Sequence, residues 1–386
     1  RGSLPGVMVV NGSTWCGGVC LLALCVMALP ARAAIYHVAP DGDDAGPGAA
    51  DRPWATLEHA SAAAQPGDTV LLAPGEYAGV LSPARSGEPG APITFRAAKR
   101  HQAVLTGPED GHAALLRDTA HIRLDGLAFR PTSPRGMCLL GQRAAQIELI
   151  DLMMDGCARS DAVRLIECED VRLTDCTIRN GRAGNMVHIS DSQRLVFEGC
   201  ELAGSAHALL LFLLDRTNRQ VIIRGCVFAG TTGRTLLIDS VEQILFEHNI
   251  IVRSLDGGRS AGPRFAFYAA NGIFRGNRVF DNWGPELLRI QPYRETLDFD
   301  RLRLYNNVFD RNCSDAVSVR NFEGKYNIAD SIFANNVFSG NERFCSGRQI
   351  IIREDDPRGA ISFRSNLIDG AVQVLGEQRP AAEWPA

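Results

Sequence analysis

The sequence predicts an all-β fold: a right-handed, single-stranded parallel β-helix of three parallel sheets and about ten coils, closed at its N-terminal end by a short helix. Three observations carry this. The first is a repeated bend motif, apolar-x-x-(Asn or Cys)-x-apolar, seen most clearly in Phe-Ala-Asn-Asn-Val-Phe at 333–338. Its fourth position falls on Cys176, Cys200, Cys226, Asn249, Asn277, Asn307, Asn336 and Asn366, in steps of 24, 26, 23, 28, 30, 29 and 30 residues. Weaker copies at 124–129 and 149–154 extend it toward the N-terminus. The second is an apolar alternation of period two that precedes each later bend, as in Val163-Arg-Leu165, Val187-His-Ile189, Leu288-Arg-Ile290 and Val317-Ser-Val319, and period two means strand. The third is unit size. A repeat of 23 to 30 residues with three short strands cannot bury its apolar face alone and must stack on copies of itself. Stacked strands lie roughly 4.7–4.9 Å apart, so each coil adds one strand to each sheet. A leucine-rich repeat has a similar period, but here Gly, Asn and Asp follow the bend where that architecture needs a helical 3.6-residue pattern.

Taken in order, the chain opens with residues 1–33, which read as a secretory signal. A short apolar run at 19–30 precedes the small-x-small sequence Ala31-Arg-Ala33. The run is too short for an ordinary spanning helix. Export implies a secreted or periplasmic protein and permits disulfides. Of eleven cysteines, Cys16, Cys20 and Cys25 fall in the leader. Cys176, Cys200 and Cys226 occupy bend positions that suit a small buried residue. Cys313 and Cys345 each lie shortly before the strand of adjacent coils, so a disulfide between them is expected. No Cys or His spacing suggests zinc, and no metal-ligand set is assigned.

The β-helix domain is expected over 34–376, with 377–386 as a C-terminal tail. Residues 36–40 alternate like a strand, 41–48 is a loop of Asp, Gly and Pro, and 53–64 has the apolar face of a short amphipathic helix. Such a helix would cover the open first coil, whose strand edges would otherwise recruit other chains. Coils then begin near Thr69. With 386 residues, 45% hydrophobic and a formal charge of -4, the chain can build a large core and has no charge bias toward nucleic acid. It is read as a monomer. Among 40 basic residues only Lys99 and Lys325 are lysines, a skew spread along the chain that points to coding bias rather than function.

The start Gln-Pro-Gly-Asp-Thr-Val at 65–70, then Ala-Pro-Ile-Thr-Phe-Arg at 91–96 and the Asn-bend coils, resembles the secreted right-handed β-helix proteins of the pectate-lyase-like superfamily. The order of elements is most similar to the alginate lyase and chondroitinase B family, over roughly residues 35–376. The resemblance implies that substrate lies on the sheet formed by the strand before each bend. With the apolar residues inward, the outward ones form two columns. One is Arg164, His188, Leu210, Leu237, Arg289, Ser318 and Ile351; the other is Ser190, Asp239, Tyr268, Gln291, Arg320 and Arg353.

The later coils hold the richer chemistry, with Arg289, Gln291, Tyr293, Arg320, Lys325 and Arg353 at the ends of adjacent strands. Eliminative cleavage of a uronate needs its carboxylate neutralised, by Arg or by Ca²⁺ held on acids, and a base within hydrogen-bond reach. The resemblance implies a Lys and an Arg, sometimes with calcium. Lys325, Arg320 and Tyr268 are therefore the catalytic candidates, and Arg289, Gln291, Arg353, His188 and Tyr293 the substrate-binding ones. Glu323, Glu354, Asp355 and Asp356 are the acids that could hold Ca²⁺. The expected partner is an acidic polysaccharide. The chain lacks the Trp-Ile-Asp-His of pectate lyases, the Asp-Pro-His-Asp of mannuronan epimerases and the Asn-Thr-Asp set of polygalacturonases. Hydrolysis by paired carboxylates and a non-catalytic polysaccharide-binding role stay open as alternatives.

Overall fold

In the computed structural model, the described residues are 33–386 without 157–158, 182–183, 206–207, 213–217, 255–264, 291–300, 322–329, 342–349, 355–361, 370, 375–376 and 381–386. The leader therefore lies outside them. No helix among the described residues is long and apolar enough to cross a membrane.

Each coil runs through three strands, as in Val163–Ile166, Glu169–Thr174 and Thr177–Arg179. Each strand pairs in parallel with its counterpart one coil away, which makes three sheets, here called first, second and third in chain order. The third sheet has twelve strands, from Gly75–Tyr77 to Leu367–Ile368. The second begins earlier than Thr69, because Ile35–Val38 pairs with Thr69–Leu72. Over this end lies the helix Leu57–Ala63, whose first turn is capped by the Thr56 hydroxyl accepting from the His59 N–H at 3.1 Å. It buries Leu57 and Ala60, as a cap over the first coil requires. At the other end Glu377–Pro380 pairs antiparallel with Ala371–Val374, so the segment expected as a tail contributes a strand.

The interior follows from alternation. Leu124, Leu149, Leu173, Phe197, Ile223, Phe246, Phe274, Leu304 and Phe333 succeed one another in register along the second sheet, and all are buried. Burial of each such side chain stabilises by roughly 1.5–3 kcal/mol. Phe246 and Phe274 stack with centroids 4.9 Å apart, as Phe309 and Phe338 do at 5.1 Å.

The bends follow from backbone conformation. The residue before each bend position is left-handed, at Asp175 (φ 53), Gly199 (φ 66), Gly225 (φ 62), His248 (φ 56), Gly276 (φ 63), Asn306 (φ 59) and Asn335 (φ 54). Gly, Asn and Asp tolerate that region best, which is why they recur there. The next residue turns inward. Asn277 donates from Nδ2 to the Phe246 carbonyl at 3.0 Å and to Asn307 Oδ1 at 2.9 Å, while its own Oδ1 accepts from the N–H and Nδ2 of Asn249 at 2.9 and 3.1 Å. Asn307, Asn336 and Asn366 continue the same bonds, so the five expected asparagines form one column.

A second column, not anticipated from the sequence, runs through Asn282, Asn312 and Asn341 with equivalent bonds of 2.9–3.1 Å. Ser254 opens it, donating its N–H to Asn282 Oδ1 at 3.0 Å. The cysteine bends are likewise buried, and Cys138, Cys168, Cys176, Cys200 and Cys226 are free thiols. Cys313 is disulfide-bonded; Cys345, its expected partner, lies outside the described residues.

Replacing Asn307 or Asn312 by Leu strands buried bend groups without partners, at a cost of about 1–3 kcal/mol each. Chemical denaturation should show a lowered midpoint for both variants, and an unchanged midpoint would remove the ladder from the list of stabilising features.

Candidate functional site

Of the sequence-predicted site residues, His188, Tyr268, Arg289, Arg320 and Arg353 lie on strands of the first sheet. Register corrects one column. His188 pairs with Leu211, not Leu210, and Leu210 pairs with Val187 and is fully buried. The strand Ala208–Phe212 reads Ala-Leu-Leu-Leu-Phe, so alternation carries no register there and stacking sets it. From Leu211 the column passes through Leu237, Ala266, Arg289, Ser318 and Ile351. It is not uniformly open, since Leu237 is 7% exposed and Ser318 fully buried.

In the late coils, Arg320 lies directly opposite Arg353 on the neighbouring strand. Arg289 is half-buried and sits one strand from Tyr268, whose own partner is Asp239. Of the side chains of Tyr268, Arg320 and Arg353 nothing further is described, and Gln291, Tyr293 and Lys325 lie outside the described residues. The same holds for Glu323, Asp355 and Asp356, and Glu354 is placed only as the last residue of its strand. Among the described residues no group of three or more His, Cys, Asp and Glu side chains could hold a metal ion.

The early coils hold a network complete in its side chains. Arg164 and His188 are neighbours on adjacent strands, and both turn to Asp161 in the connection before Val163. Arg164 donates to Asp161 Oδ2 from Nε at 2.9 Å and Nη2 at 2.7 Å, and His188 Nδ1 meets the same oxygen at 2.9 Å. The other oxygen, Oδ1, accepts from the Asn185 N–H at 2.9 Å and its Nδ2 at 3.0 Å. Asp161 is 4% exposed. Burial alone would push its pKa up, and is the largest single influence. The hydrogen bonds from His188 and Arg164 and their charges outweigh it and hold the carboxyl down at about 2.

With Nδ1 carrying a proton toward this anion, an assignment made from the hydrogen-bond pattern, Nε2 is the ring nitrogen left over. That nitrogen is buried and has no hydrogen-bond partner among the described residues. Nearby His112 accepts the Met137 N–H at Nδ1, 3.2 Å away, and burial first, then Arg164 and Arg117, lower its pKa so that it stays neutral. Sequence reading found His188 but missed Asp161, Asn185 and His112. The signal was present, since Asp161-x-x-Arg164 recurs one coil later as Asn185-x-x-His188.

A separate cavity of about 620 Å³ lies on the second sheet, between the 88–90 loop and Arg123, Glu148, Arg172 and Arg194. Its arginines are paired, Arg123 with Glu148, Arg172 with Glu198, and Arg194 with Glu169 and Asp170.

Comparison with known proteins agrees with this geometry. Residues 112–261 match the family model described as right handed beta helix region. The likeness establishes the fold. One curated relative, the uncharacterized protein YwoF of Bacillus subtilis (strain 168), is 33% identical over 103 residues, 25% of this chain and 22% of its own length. The match thus spans only about a fifth of that protein. Among solved structures, PfbA, a surface adhesin of Streptococcus pneumoniae, aligns with a TM-score of 0.58 at 10% identity, covering 84% of this chain and 89% of its own. The GH136 lacto-N-biosidase of Eubacterium ramulus gives 0.54 at 13%, covering 88% and 68%. The alginate lyase of Paenibacillus sp. str. FPU-7 gives 0.50 at 15%, covering 88% and 99%. At these identities the shared property is the right-handed β-helix itself.

The lowered pKa of Asp161 has a consequence for stability. A depressed carboxylate contributes fully above its unfolded pKa, near 4, and its contribution is lost as pH falls through the folded value near 2. The contribution is on the order of 2 kcal/mol. The parent should therefore lose thermal stability between about pH 4 and pH 2 more steeply than Asp161→Asn, and parallel profiles would show that Asp161 is not held ionised by this network.

Proposed function

We propose that this is a secreted or periplasmic carbohydrate-active β-helix enzyme that cleaves an acidic, uronate-containing polysaccharide by β-elimination. The observation that supports it most directly is the in-register pair Arg320 and Arg353 on the first sheet, one strand from Ser318's neighbour Arg289. In-register partners on adjacent parallel strands have their backbones roughly 4.8 Å apart, and a carboxylate fits the planar donors of an arginine. A uronate polymer supplies such carboxylates along its length.

In this reading Arg320 and Arg353 neutralise the carboxylate of the ring to be cleaved, which acidifies the proton at its alpha carbon. Lys325 removes that proton, and the neighbouring arginine charge favours its neutral form. Tyr268 assists transfer to the leaving oxygen, while Arg289, Gln291 and Tyr293 hold adjoining sugars. The fold neighbours include proteins named as a lyase, a glycosidase and an adhesin, and a non-catalytic binding role is the second reading. Mutual pairing of surface charge favours it, as with Arg275 and Glu247 at 2.5 Å or Arg311 and Asp281 at 3.2 Å.

Incubating the protein with alginate, pectate and glycosaminoglycans while following ultraviolet absorbance of the unsaturated product tests the proposal. One of these polymers should give product, and Lys325→Ala should abolish it with binding largely retained. If the variant cleaves as fast as the parent, Lys325 is not the base. If the parent forms no product on any uronate polymer, the binding role replaces the enzyme.

A further inference from the structure

The cavity on the second sheet takes no part in the chemistry proposed for the first. Its volume of about 620 Å³ falls within the roughly 300–1,000 Å³ usual for a small-ligand site. One side is a column of His121, Gln146, Asp170, Arg194 and Gln220, one residue from each of five successive coils. All five backbones are left-handed, with φ between 49° and 55°, so the side chains leave the sheet in one direction. Beside it runs a second column that begins at Arg123 and ends, in register, at Val196 and Ile222. Four steps at strand spacing make a groove about 19 Å long. The end wall is pre-formed. Glu88 and Ala91 exchange N–H···O bonds of 3.0 and 2.8 Å, and the Gly87 N–H donates to the Ala120 carbonyl at 2.9 Å. Ala120 in turn donates its N–H to the Ser86 hydroxyl at 2.9 Å. A Cβ on Gly87 would stand 2.5 Å from the His121 carbonyl oxygen, so this loop sits directly on the sheet.

What the groove can offer depends on which groups are already committed. Arg123, Arg172 and Arg194 are ion-paired, Glu148 and Asp170 are partners of two of them, and Gln146 donates to Asp170 at 3.0 Å. Three lining side chains have no hydrogen-bond or ion-pair partner among the described residues: Glu88, His121 and Gln220. Glu88 and Gln220 are exposed and His121 is half-buried, so solvent and solutes reach them. Histidine aside, the lining charge without a counter-ion is therefore a carboxylate, which repels a uronate or nucleic-acid chain. A protein partner would need an aromatic or arginine anchor, but no Phe, Tyr or Trp lines the groove and its arginines are spent. An uncharged sugar chain fits what is left. Its hydroxyls donate to carboxylate and amide oxygens and accept from amide and ring N–H groups, while the carbon faces of its rings rest on Val196, Ile222 and Pro92.

We propose that this groove is a second glycan-binding site, for an uncharged stretch of polysaccharide, with Glu88, His121 and Gln220 as its hydrogen-bonding contacts. His121 and Gln220 mark opposite ends of the five-coil column, so full engagement takes an oligomer of several rings. The ion pairs between them hold the column rigid and touch the sugar only along its edges. No bond is made or broken here. The site is independent of the proposed β-elimination, since Arg320 and Arg353 lie on another sheet and in later coils.

The test is calorimetry on the full chain with hexasaccharides of β-glucan, mannan, xylan and galactan, and with an oligo-uronate of the same length as comparator. At least one neutral hexasaccharide should bind. Its Kd should rise about tenfold in Glu88→Ala and in Gln220→Ala, the equivalent of one lost hydrogen bond of ordinary strength. Both replaced side chains are exposed, so thermal midpoints should stay at the parent value and the loss reads as binding, not folding. Saturating oligo-uronate should leave the neutral Kd unchanged. Failure of all four neutral hexasaccharides to bind overturns the site, and so does parental affinity in either variant. Competition by the oligo-uronate also overturns it, because both sugars would then occupy the first sheet. Neutral binding in a protein that cleaves no uronate polymer upholds the site while the β-elimination reading fails alone.

Discussion

The structure depends on one constraint: backbone groups turned inward at each bend have no water to bond and must find partners in the adjacent coil. Asparagine meets the demand because its amide has two donors and a two-lone-pair acceptor. From Asn277 to Asn336, each oxygen takes the N–H and Nδ2 of the coil before, and each Nδ2 reaches back to a strand carbonyl and forward to the next oxygen. Since the bonds run between coils, they hold neighbouring coils at strand spacing and in one register. The outer face of these coils inherits that register, including the juxtaposition of Arg320 with Arg353.

The outer face is therefore organised in columns, and columns of like charge are costly unless compensated. The molecule uses two solutions. Along the second sheet, acids alternate with arginines from coil to coil, as Glu198 does between Arg172 and Arg224, which leaves little charge to offer a ligand. On the first sheet, Asp161 instead gathers Arg164 and His188 onto one buried carboxylate, concentrating the counter-charge beneath the surface and leaving polar edges above it. The difference separates a face of paired surface charge from a face whose counter-charge is buried, within one repeat.

The fold was legible because stacking repeats its own requirements in the sequence. Left-handed residues before Asn or Cys, and alternating apolar residues around them, recur at 23 to 30 residues. The second asparagine column was harder to read, since Ser254 takes its place one coil earlier and Asn282, Asn312 and Asn341 begin only after that. The site was legible in part. His188 stood out as an outward residue on a strand, but Asp161 lies in a connection, where no periodicity marks a residue as buried. The slip at Leu210 has the same origin: in a run of three leucines inward and outward positions look alike, and only pairing to Val187 decides between them.

Coil length varies while the ladders do not. From Asn277 to Asn282, Asn307 to Asn312 and Asn336 to Asn341 the interval is always five residues, so the extra residues of the longer coils enter elsewhere, between the third strand and the next second-sheet strand. The chain is thus divided into a portion whose length is dictated by its neighbours and a portion free to grow. The free portion lies where the polypeptide approaches and leaves the first sheet, beside the face that carries Arg164, His188 and Arg289. Surface of this kind can be lengthened, shortened or rewritten one coil at a time with no change to the core, which makes the helix a fixed axis whose outer connections are the variable part.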